Sequence, residues 1–334
     1  ISSIFACSGF AAVCGSSLAT AASMGRIAIP EMVRAGYSPS VSAGAIAAGG
    51  TIGALIPPSI LMILYGVFSE TSITKVFLGG VTVGLLTALS YAAVVLVVAA
   101  LRPDLIPRGR LEGSQIGATA ALRKVWPVAL LILLVFGGLF SGYFTATEAG
   151  AIGAGGAILC AAAIGTLNRA VIKKSLLETL QTTASLLIIG IGAMMFTRFL
   201  GITGLSGFIA RTVGAADIGY VHLMLMVVVV YLLLGMVMEP FGAMLVTLPV
   251  FIPVLSAEGI SLVWFGVLVV KLLEIGMITP PVGLNVFVIR NVASDYVSTA
   301  QVFMGVLPFF VADLVVTALI IALPALVLWL PGLV

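Results

Sequence analysis

Charged residues are scarce in this chain. Lys, Arg, Asp and Glu make up 8% of its 334 residues, and hydrophobic residues make up 61%. A soluble protein carries about 25% charged residues, so the composition excludes that class and predicts an all-α polytopic membrane protein. Apolar segments such as 76–101 and 302–330 exceed the roughly 20 residues that a spanning helix needs. The net charge of +3 comes mainly from basic loops and gives no reason to expect nucleic-acid binding.

Metal-ligating and catalytic residue types are also rare. One histidine and three scattered cysteines, Cys7, Cys14 and Cys160, cannot supply a repeated ligand set, so the cysteines are expected to be small buried apolar residues. The sequence contains no His-Glu-x-x-His motif and no Gly-x-Ser-x-Gly elbow, which argues against a membrane enzyme. It has no Gly-x-x-x-x-Gly-Lys-Ser/Thr loop, so we expect no ATP hydrolysis by this chain. Because it begins inside an apolar segment without Met, we expect an N-terminal truncation of about three scaffold helices.

Two proline pairs stand inside long apolar segments, at 55-Leu-Ile-Pro-Pro-Ser-59 and 278-Ile-Thr-Pro-Pro-Val-282. Proline removes a backbone donor and clashes with the carbonyl four residues earlier, so each helix must open at its pair. In lipid, freed carbonyls are tolerated only where protein buries them or where they line a polar cavity. Two such interruptions predict the ion and substrate site of a secondary transporter.

The two segments belong to an internal repeat. The spacing from Pro30 to Pro57 is identical to the spacing from Pro253 to Pro280. The shift along the chain that takes Pro30 to Pro253, which we call the repeat shift, also places Gly53 on Gly276 and the first proline pair on the second. The sequence therefore predicts two copies of one helical unit.

The first repeat is predicted at 1–101 and the second at 126–334, with a cytoplasmic basic linker at 102–125. A small, polar break at 15–20 predicts a re-entrant hairpin in the first repeat, and 235–242 is the corresponding tip in the second. Arg26, Glu31 and Arg34 are expected in a polar loop, and Arg211, Asp217 and His222 in another. The elements in order are hairpin 1–24, broken helix 41–66, closing helix 76–101, scaffold helices 126–143, 147–167 and 176–199, hairpin 221–255, broken helix 262–290 and closing helix 302–330.

The topology of the repeats follows from the number of crossings. Five predicted crossings separate the two hairpins, and because five is odd, the copies enter the membrane from opposite faces. This is an inverted-topology repeat, the arrangement in which alternating access arises from symmetry. We expect the hairpins and broken helices to form a mobile block that moves past a scaffold, as in elevator-type proteins of the ion transporter superfamily.

Three strings carry a resemblance to a known family: 15-Gly-Ser-Ser-Leu-Ala-Thr-20, 53-Gly-Ala-Leu-Ile-Pro-Pro-Ser-59 and 276-Gly-Met-Ile-Thr-Pro-Pro-Val-Gly-Leu-Asn-285. The chain resembles, over essentially its whole length, the large membrane subunit of tripartite ATP-independent periplasmic (TRAP) transporters. The resemblance implies sodium-coupled uptake of an organic acid across the bacterial inner membrane. It also implies two protein partners, a small four-helix membrane subunit and a periplasmic substrate-binding protein.

The broken helices and hairpin tips offer oxygen ligands for sodium. Na⁺ is a hard cation that prefers oxygen, and opened helices supply backbone carbonyls and a favourable dipole at their C-terminal ends. The candidate ligands in the first half are Gly15, Ser16, Ser17, Gly53 and Pro57. In the second half they are Met238, Glu239, Gly276, Thr279, Pro280 and Gly283.

Substrate contacts are predicted from the neutral polar groups near the same place. Half-helix N-termini present unpaired N–H groups that suit a carboxylate, and the candidate side chains are Ser17, Thr20, Ser59 and Asn285. A carboxylate such as a sialic acid or a C4-dicarboxylate is the expected substrate class. The alternative is a dicarboxylate or arsenite-type carrier of the same plan that needs no binding protein, and a channel would not need two antisymmetric hairpins.

Charges inside apolar segments are functional candidates by default. Glu239 is expected to fix a hairpin tip or bind sodium. Lys271 and Glu274 lie three residues apart and are expected to neutralise each other. Asp313 is expected to bond a neighbouring polar group, and Glu148 to belong to a helix-start motif after Thr145.

Overall fold

The computed structural model describes residues 1–107, 118–215 and 219–333, and all regular structure in these ranges is helical. The chain divides into two compact units. One contains the described residues of 1–111 and 203–334, and the other contains those of 112–202. Both hairpins and both broken helices lie in the first unit.

The first hairpin consists of α1 (Ser2–Cys14) and α2 (Ser17–Arg34). Gly15 ends α1 with a left-handed φ of 61°, and the Ser16 side chain caps α2 by accepting from the Ala19 N–H. The tip is therefore shorter than the predicted 15–20 break. The predicted polar loop is wrong as well, because α2 continues to Arg34, where Glu31 and Arg34 form an ion pair of 2.9 Å one turn apart.

The first broken helix begins with α3 (Pro39–Thr51) and continues into a 3-10 turn at Ile52–Ala54. After the proline pair, α4 (Ile60–Phe68) starts at Ser59, whose side chain accepts from the Met62 N–H. The prediction that the helix opens at the prolines is confirmed, and both Pro-Pro bonds of the chain are cis. The closing helix α5 spans Ile73–Leu101.

The second unit contains α6 (Ala118–Phe140), α7 (Ala146–Ile164) and most of α8 (Arg169–Thr203). The α6 and α7 helices pack together with Leu131 of α6 beside Gly156 of α7. Thr145 and Glu148 form a reciprocal capping box at the start of α7, which confirms the predicted helix-start motif.

The chain then forms α9 (Leu205–Ala215) and the second hairpin, α10 (Tyr220–Val237) and α11 (Pro240–Ala257). The predicted loop at this place is wrong for two of its residues, since Arg211 lies in α9 and His222 in α10; Asp217 lies outside the described residues. The α9 helix packs against α11, so part of this connection forms tertiary structure instead of an open loop.

The second broken helix is α12 (Leu262–Gly276) followed by α13 (Leu284–Val292), and α14 (Thr299–Ala322) closes the repeat. The predicted closing helix 302–330 is too long. It ends at Ala322, since Pro324 interrupts the chain before the short helix α15 (Ala325–Leu328).

The helix bounds reproduce the internal repeat. The repeat shift carries Ser17–Arg34 onto Pro240–Ala257, and α3 and α4 shifted likewise overlap α12 and α13. The copies exchange partners, because α3 packs against the closing helix α14 of the second repeat and α12 packs against α5 of the first. One apolar core, which includes Ala21, Ile46, Ile289 and Val302, joins α2, α3, α13 and α14.

The crossing of α3 and α14 depends on glycine. Gly44 and Gly305 face each other there, a Cβ on Gly305 would overlap the carbonyl oxygen of Ser40, and the Ser40 hydroxyl donates to the Gln301 carbonyl oxygen at 2.7 Å. Replacing Gly305 with alanine is expected to lower the free energy of unfolding by about 1–3 kcal/mol, the usual cost of overpacking.

The matched control is Gly9→Ala in α1, where an added Cβ meets no atom within 4 Å. Its effect on stability should be no worse than neutral, since alanine favours a helix more than glycine by about 1 kcal/mol. Unfolding in detergent micelles, followed by circular dichroism, measures both variants. Equal stability of the two proteins would contradict the close backbone crossing.

Candidate functional site

The tip of the first hairpin docks onto the loop of the first broken helix. Gly15 lies so close to this loop that a Cβ would overlap the Pro58 carbonyl oxygen, and the Ile60 N–H donates to the Gly15 carbonyl at 3.5 Å. A Cβ on Gly53 would lie 3.2 Å from the carbonyl oxygen of Ser16. The structure thus brings together the hairpin tip and the broken-helix loop, as the first predicted ligand set requires.

The second predicted ligand set is built around the C-terminal end of α12. Gly276 packs on the backbone of Gly235 near the end of α10, where its Cβ would be 2.6 Å from the Gly235 Cα. The Thr279 hydroxyl donates to the Ile275 carbonyl oxygen at 2.6 Å, and a Cβ on Gly283 would be 3.2 Å from the Thr279 carbonyl oxygen. Three of the predicted residues, Gly276, Thr279 and Gly283, therefore share one loop.

The remaining members of the second set are more open. Glu239 is exposed and caps α11 by accepting from the Gly242 N–H at 3.1 Å. Met238 is half-buried in the extended link between α10 and α11, and Pro280 is exposed. The predicted hairpin-fixing role of Glu239 agrees with this cap.

Ser17 connects the two halves. Its hydroxyl donates to the Glu274 carboxylate oxygen Oε1 at 3.1 Å and lies 3.5 Å from the Met277 sulfur. Met277 in turn accepts, through its carbonyl oxygen, from the Asn285 N–H at 3.0 Å. The N-terminus of α2, the C-terminal end of α12 and the N-terminus of α13 therefore meet in one polar region, which we call the central site.

Several polar atoms of the central site have no hydrogen-bond partner. Asn285 is fully buried, yet neither its Oδ1 nor its Nδ2 is bonded, and the Glu274 Oε2 atom is also without a partner. An unsatisfied buried polar group costs about 1–3 kcal/mol, and such groups are kept where a ligand completes them. The arrangement is that of a binding site for a polar ligand.

The four predicted substrate residues differ in how free they are. Thr20 is fully buried, and its hydroxyl donates to the Ser16 carbonyl oxygen at 2.8 Å. Ser59 is also buried and is engaged as the cap of α4. Ser17 and Asn285 remain the side chains that can turn to a ligand without breaking a helix cap.

The predicted pairing of Lys271 with Glu274 is wrong. The Lys271 ammonium instead forms an ion pair with the Asp313 carboxylate and donates to the Thr87 hydroxyl at 3.0 Å. Tyr91 completes this arrangement by donating to Asp313 Oδ2 at 2.6 Å. Lys271 turns towards α5 and α14 because its oxygen partners lie there, and the prediction that Asp313 bonds a polar neighbour is confirmed.

Sequence reasoning missed the place of Glu274 in the central site. The signal was present in the repeat, since the repeat shift places Thr51, just before Gly53, on Glu274. Thr87 and Tyr91 lie within a long apolar helix and gave no local signal.

These features define a class. Six of the described helices are long and apolar enough to cross a membrane, and two hairpins with two broken helices surround a buried polar site, as in secondary transport proteins. A family model described as "Tripartite ATP-independent periplasmic transporter, DctM component" matches residues 1–326. The chain belongs to this family of large TRAP permease subunits, which are transport proteins and not enzymes, and it is a multi-pass protein of the bacterial inner membrane.

Curated relatives and a solved structure support this assignment. A C4-dicarboxylate TRAP transporter large permease protein of Pseudomonas aeruginosa is 37% identical over 99% of this chain and 77% of its own length. A sialic acid TRAP transporter permease protein of Haemophilus influenzae is 32% identical over 97% of this chain and 52% of its own length. The YdaH transporter of Alcanivorax borkumensis has the same fold, with a TM-score of 0.60 at 18% identity over 98% of this chain and 84% of its own.

Proposed function

We propose that this chain carries out sodium-gradient-driven uptake of an organic acid delivered by a periplasmic binding protein. The observation that carries the proposal is the central site, where Asn285 and Glu274 keep unpaired polar atoms between a hairpin and a broken helix. Relatives named for C4-dicarboxylate and sialic acid transport favour a carboxylate as the substrate class.

Sodium is assigned to the two predicted ligand sets. The donors there are carbonyl, hydroxyl and carboxylate oxygens, which fit a hard monovalent cation. Gly15, Ser16, Ser17, Gly53 and Pro57 would hold one ion, and Met238, Glu239, Gly276, Thr279, Pro280 and Gly283 the other. The bound ion supplies positive charge at a place where the chain presents oxygens.

The substrate carboxylate is assigned to the same region. The N-terminus of α13 carries the Asn285 amide, and the N-terminus of α2 carries the Ser17 hydroxyl. Helix N-termini favour anions through unpaired N–H groups and the helix dipole. Thr20 and Ser59 support this site mainly by fixing the helix starts that surround it.

The transport movement is assigned to an elevator mechanism. Hairpins and broken helices share one compact unit, and α6, α7 and most of α8 form another, which supports a mobile block and a separate scaffold. A small four-helix membrane subunit and a periplasmic binding protein are the proposed partners, in agreement with the family.

Uptake into proteoliposomes tests the proposal. The chain, with its small subunit, is reconstituted, and the sodium gradient and the binding protein are added or withheld independently. A labelled C4-dicarboxylate and a labelled sialic acid are each presented with a binding protein that carries it. We expect uptake only when the sodium gradient and the binding protein are both present.

The other outcomes separate the alternatives. Uptake with sodium but without the binding protein would assign the chain to the binding-protein-independent carriers. Uptake that needs the binding protein but ignores the sodium gradient would remove sodium from the proposal.

A further inference from the structure

Three charged side chains are buried together beside the central site. Lys271, Glu274 and Asp313 are each at most 1% exposed. The single ammonium is committed to Asp313, and the hydroxyls of Thr87 and Tyr91 complete that pair. Glu274 is left without a cationic partner among the residues that the structure describes.

An uncompensated buried charge is unstable. The desolvation penalty for an isolated carboxylate amounts to several kcal/mol even after relaxation, and one hydrogen bond from the Ser17 hydroxyl does not offset it. The second carboxylate oxygen of Glu274 receives no hydrogen bond at all. The chain therefore presents a negative charge that lacks its counter-charge.

The surroundings of Glu274 are rich in oxygen. Gly50 and Gly53 allow the start of α2 to come close, so that their Cβ atoms would lie 3.2 Å from the carbonyl oxygens of Ser17 and Ser16 respectively. The 3-10 turn that contains Gly53 packs on α12, which carries Glu274. Hydroxyl, carbonyl and carboxylate oxygens thus converge on this side of the central site.

We infer that the Glu274 carboxylate is the anionic ligand of a bound monovalent cation, with the Ser17 hydroxyl oxygen as its neighbouring ligand. The Ser17 hydroxyl can give up its bond to Glu274 without losing every partner, because the Met277 sulfur lies 3.5 Å away. The hydroxyl oxygen then faces the cation. One unpaired carboxylate matches one positive charge, which favours a monovalent ion over a divalent one.

The charged ligand belongs to one repeat alone. Thr51 occupies the equivalent position in the first repeat, and its hydroxyl is engaged with the Ala48 carbonyl oxygen at 2.7 Å and with the Tyr91 hydroxyl at 3.1 Å. The two ion sites of the proposed function therefore differ in charge. This inference rests on that function, since it takes sodium as the cation.

Equilibrium sodium binding to the purified chain with its small subunit tests the inference without transport. Radioactive ²²Na⁺ is titrated onto the native protein, Glu274→Gln, Glu274→Asp and the control Glu31→Gln, whose carboxylate lies in an exposed ion pair. We expect Glu274→Gln to weaken one sodium site about tenfold or more, because ligand charge sets affinity for hard cations. Glu274→Asp should retain part of the affinity, and Glu31→Gln all of it.

The outcomes are distinguishable. Native-like sodium binding by Glu274→Gln would overturn the inference and leave sodium coupling intact. If the native protein itself binds no sodium, the proposed coupling fails and the inference fails with it. Should Glu274→Gln not fold, Ser17→Ala replaces it, and unchanged affinity in both Ser17→Ala and Glu274→Asp would overturn the inference.

Discussion

Replacing Lys271 with methionine is expected to destabilise the protein by about 3–5 kcal/mol, the usual cost of leaving one partner of a buried ion pair alone. Asp313 would keep the hydrogen bond from the Tyr91 hydroxyl but lose its only counter-charge in the region that the structure describes. Methionine fills a similar volume and is apolar, so the loss reports the charge more than a cavity. Unfolding in detergent micelles measures it.

The double variant Lys271→Met/Asp313→Leu separates the cost of an orphaned charge from the value of the pair. Replacing both members of a buried ion pair by apolar residues is often neutral or even stabilising, so we expect the double variant to recover most of the stability lost in Lys271→Met. Arg34→Met is the control, because Arg34 pairs with Glu31 where both side chains are 69% exposed. Such an exposed pair contributes at most about 1 kcal/mol.

A loss in Lys271→Met no larger than in Arg34→Met would show that the Lys271–Asp313 pair is not desolvated. An additive double variant, with no recovery, would show that the two residues do not interact.

Replacing Gly15 with alanine is expected to lower the rate of uptake by about a hundredfold, the scale of effect that a shift of about 1 Å produces at a catalytic site. The φ of 61° is a left-handed conformation that costs a non-glycine residue about 1–2 kcal/mol. The new Cβ would also overlap the Pro58 carbonyl oxygen, so the hairpin tip must move away from the broken-helix loop. Initial rates in the proteoliposome assay measure the effect.

Gly36→Ala is the matched control for this variant. Gly36 also has a left-handed φ, of 85°, but the nearest atom to an added Cβ is Pro107 Cγ at 3.7 Å, outside the central site. It should carry a similar conformational cost in stability and leave uptake near the native rate. Equal uptake by Gly15→Ala and Gly36→Ala would mean that docking of the tip on the loop is not needed for transport.

The proline pairs and the repeat could be read from the sequence for a local reason. Proline interrupts a helix wherever it stands within one, so the openings at Pro57 and Pro280 need no tertiary information. Helix ends were less accurate. The extension of α2 through Pro30 to Arg34 depends on packing of Ile29 and neighbouring residues in the core, which local propensity does not report.

The partners of buried polar side chains required the fold. Lys271 and Glu274 are three residues apart, so local geometry favoured a pair between them. Tertiary packing instead placed Asp313, which is 42 residues away in sequence, against Lys271, and Ser17, 257 residues away, against Glu274.

The sequence by itself determined the membrane class, the inverted repeat, the two broken helices and the family. These follow from composition, proline chemistry and a fixed spacing, all of which act locally or repeat along the chain. Only the tertiary structure decided that the start of α2 meets the end of α12, because long-range packing brings the two halves together. That meeting leaves Glu274 and Asn285 buried with unpaired atoms, since no side chain of the described residues reaches those atoms.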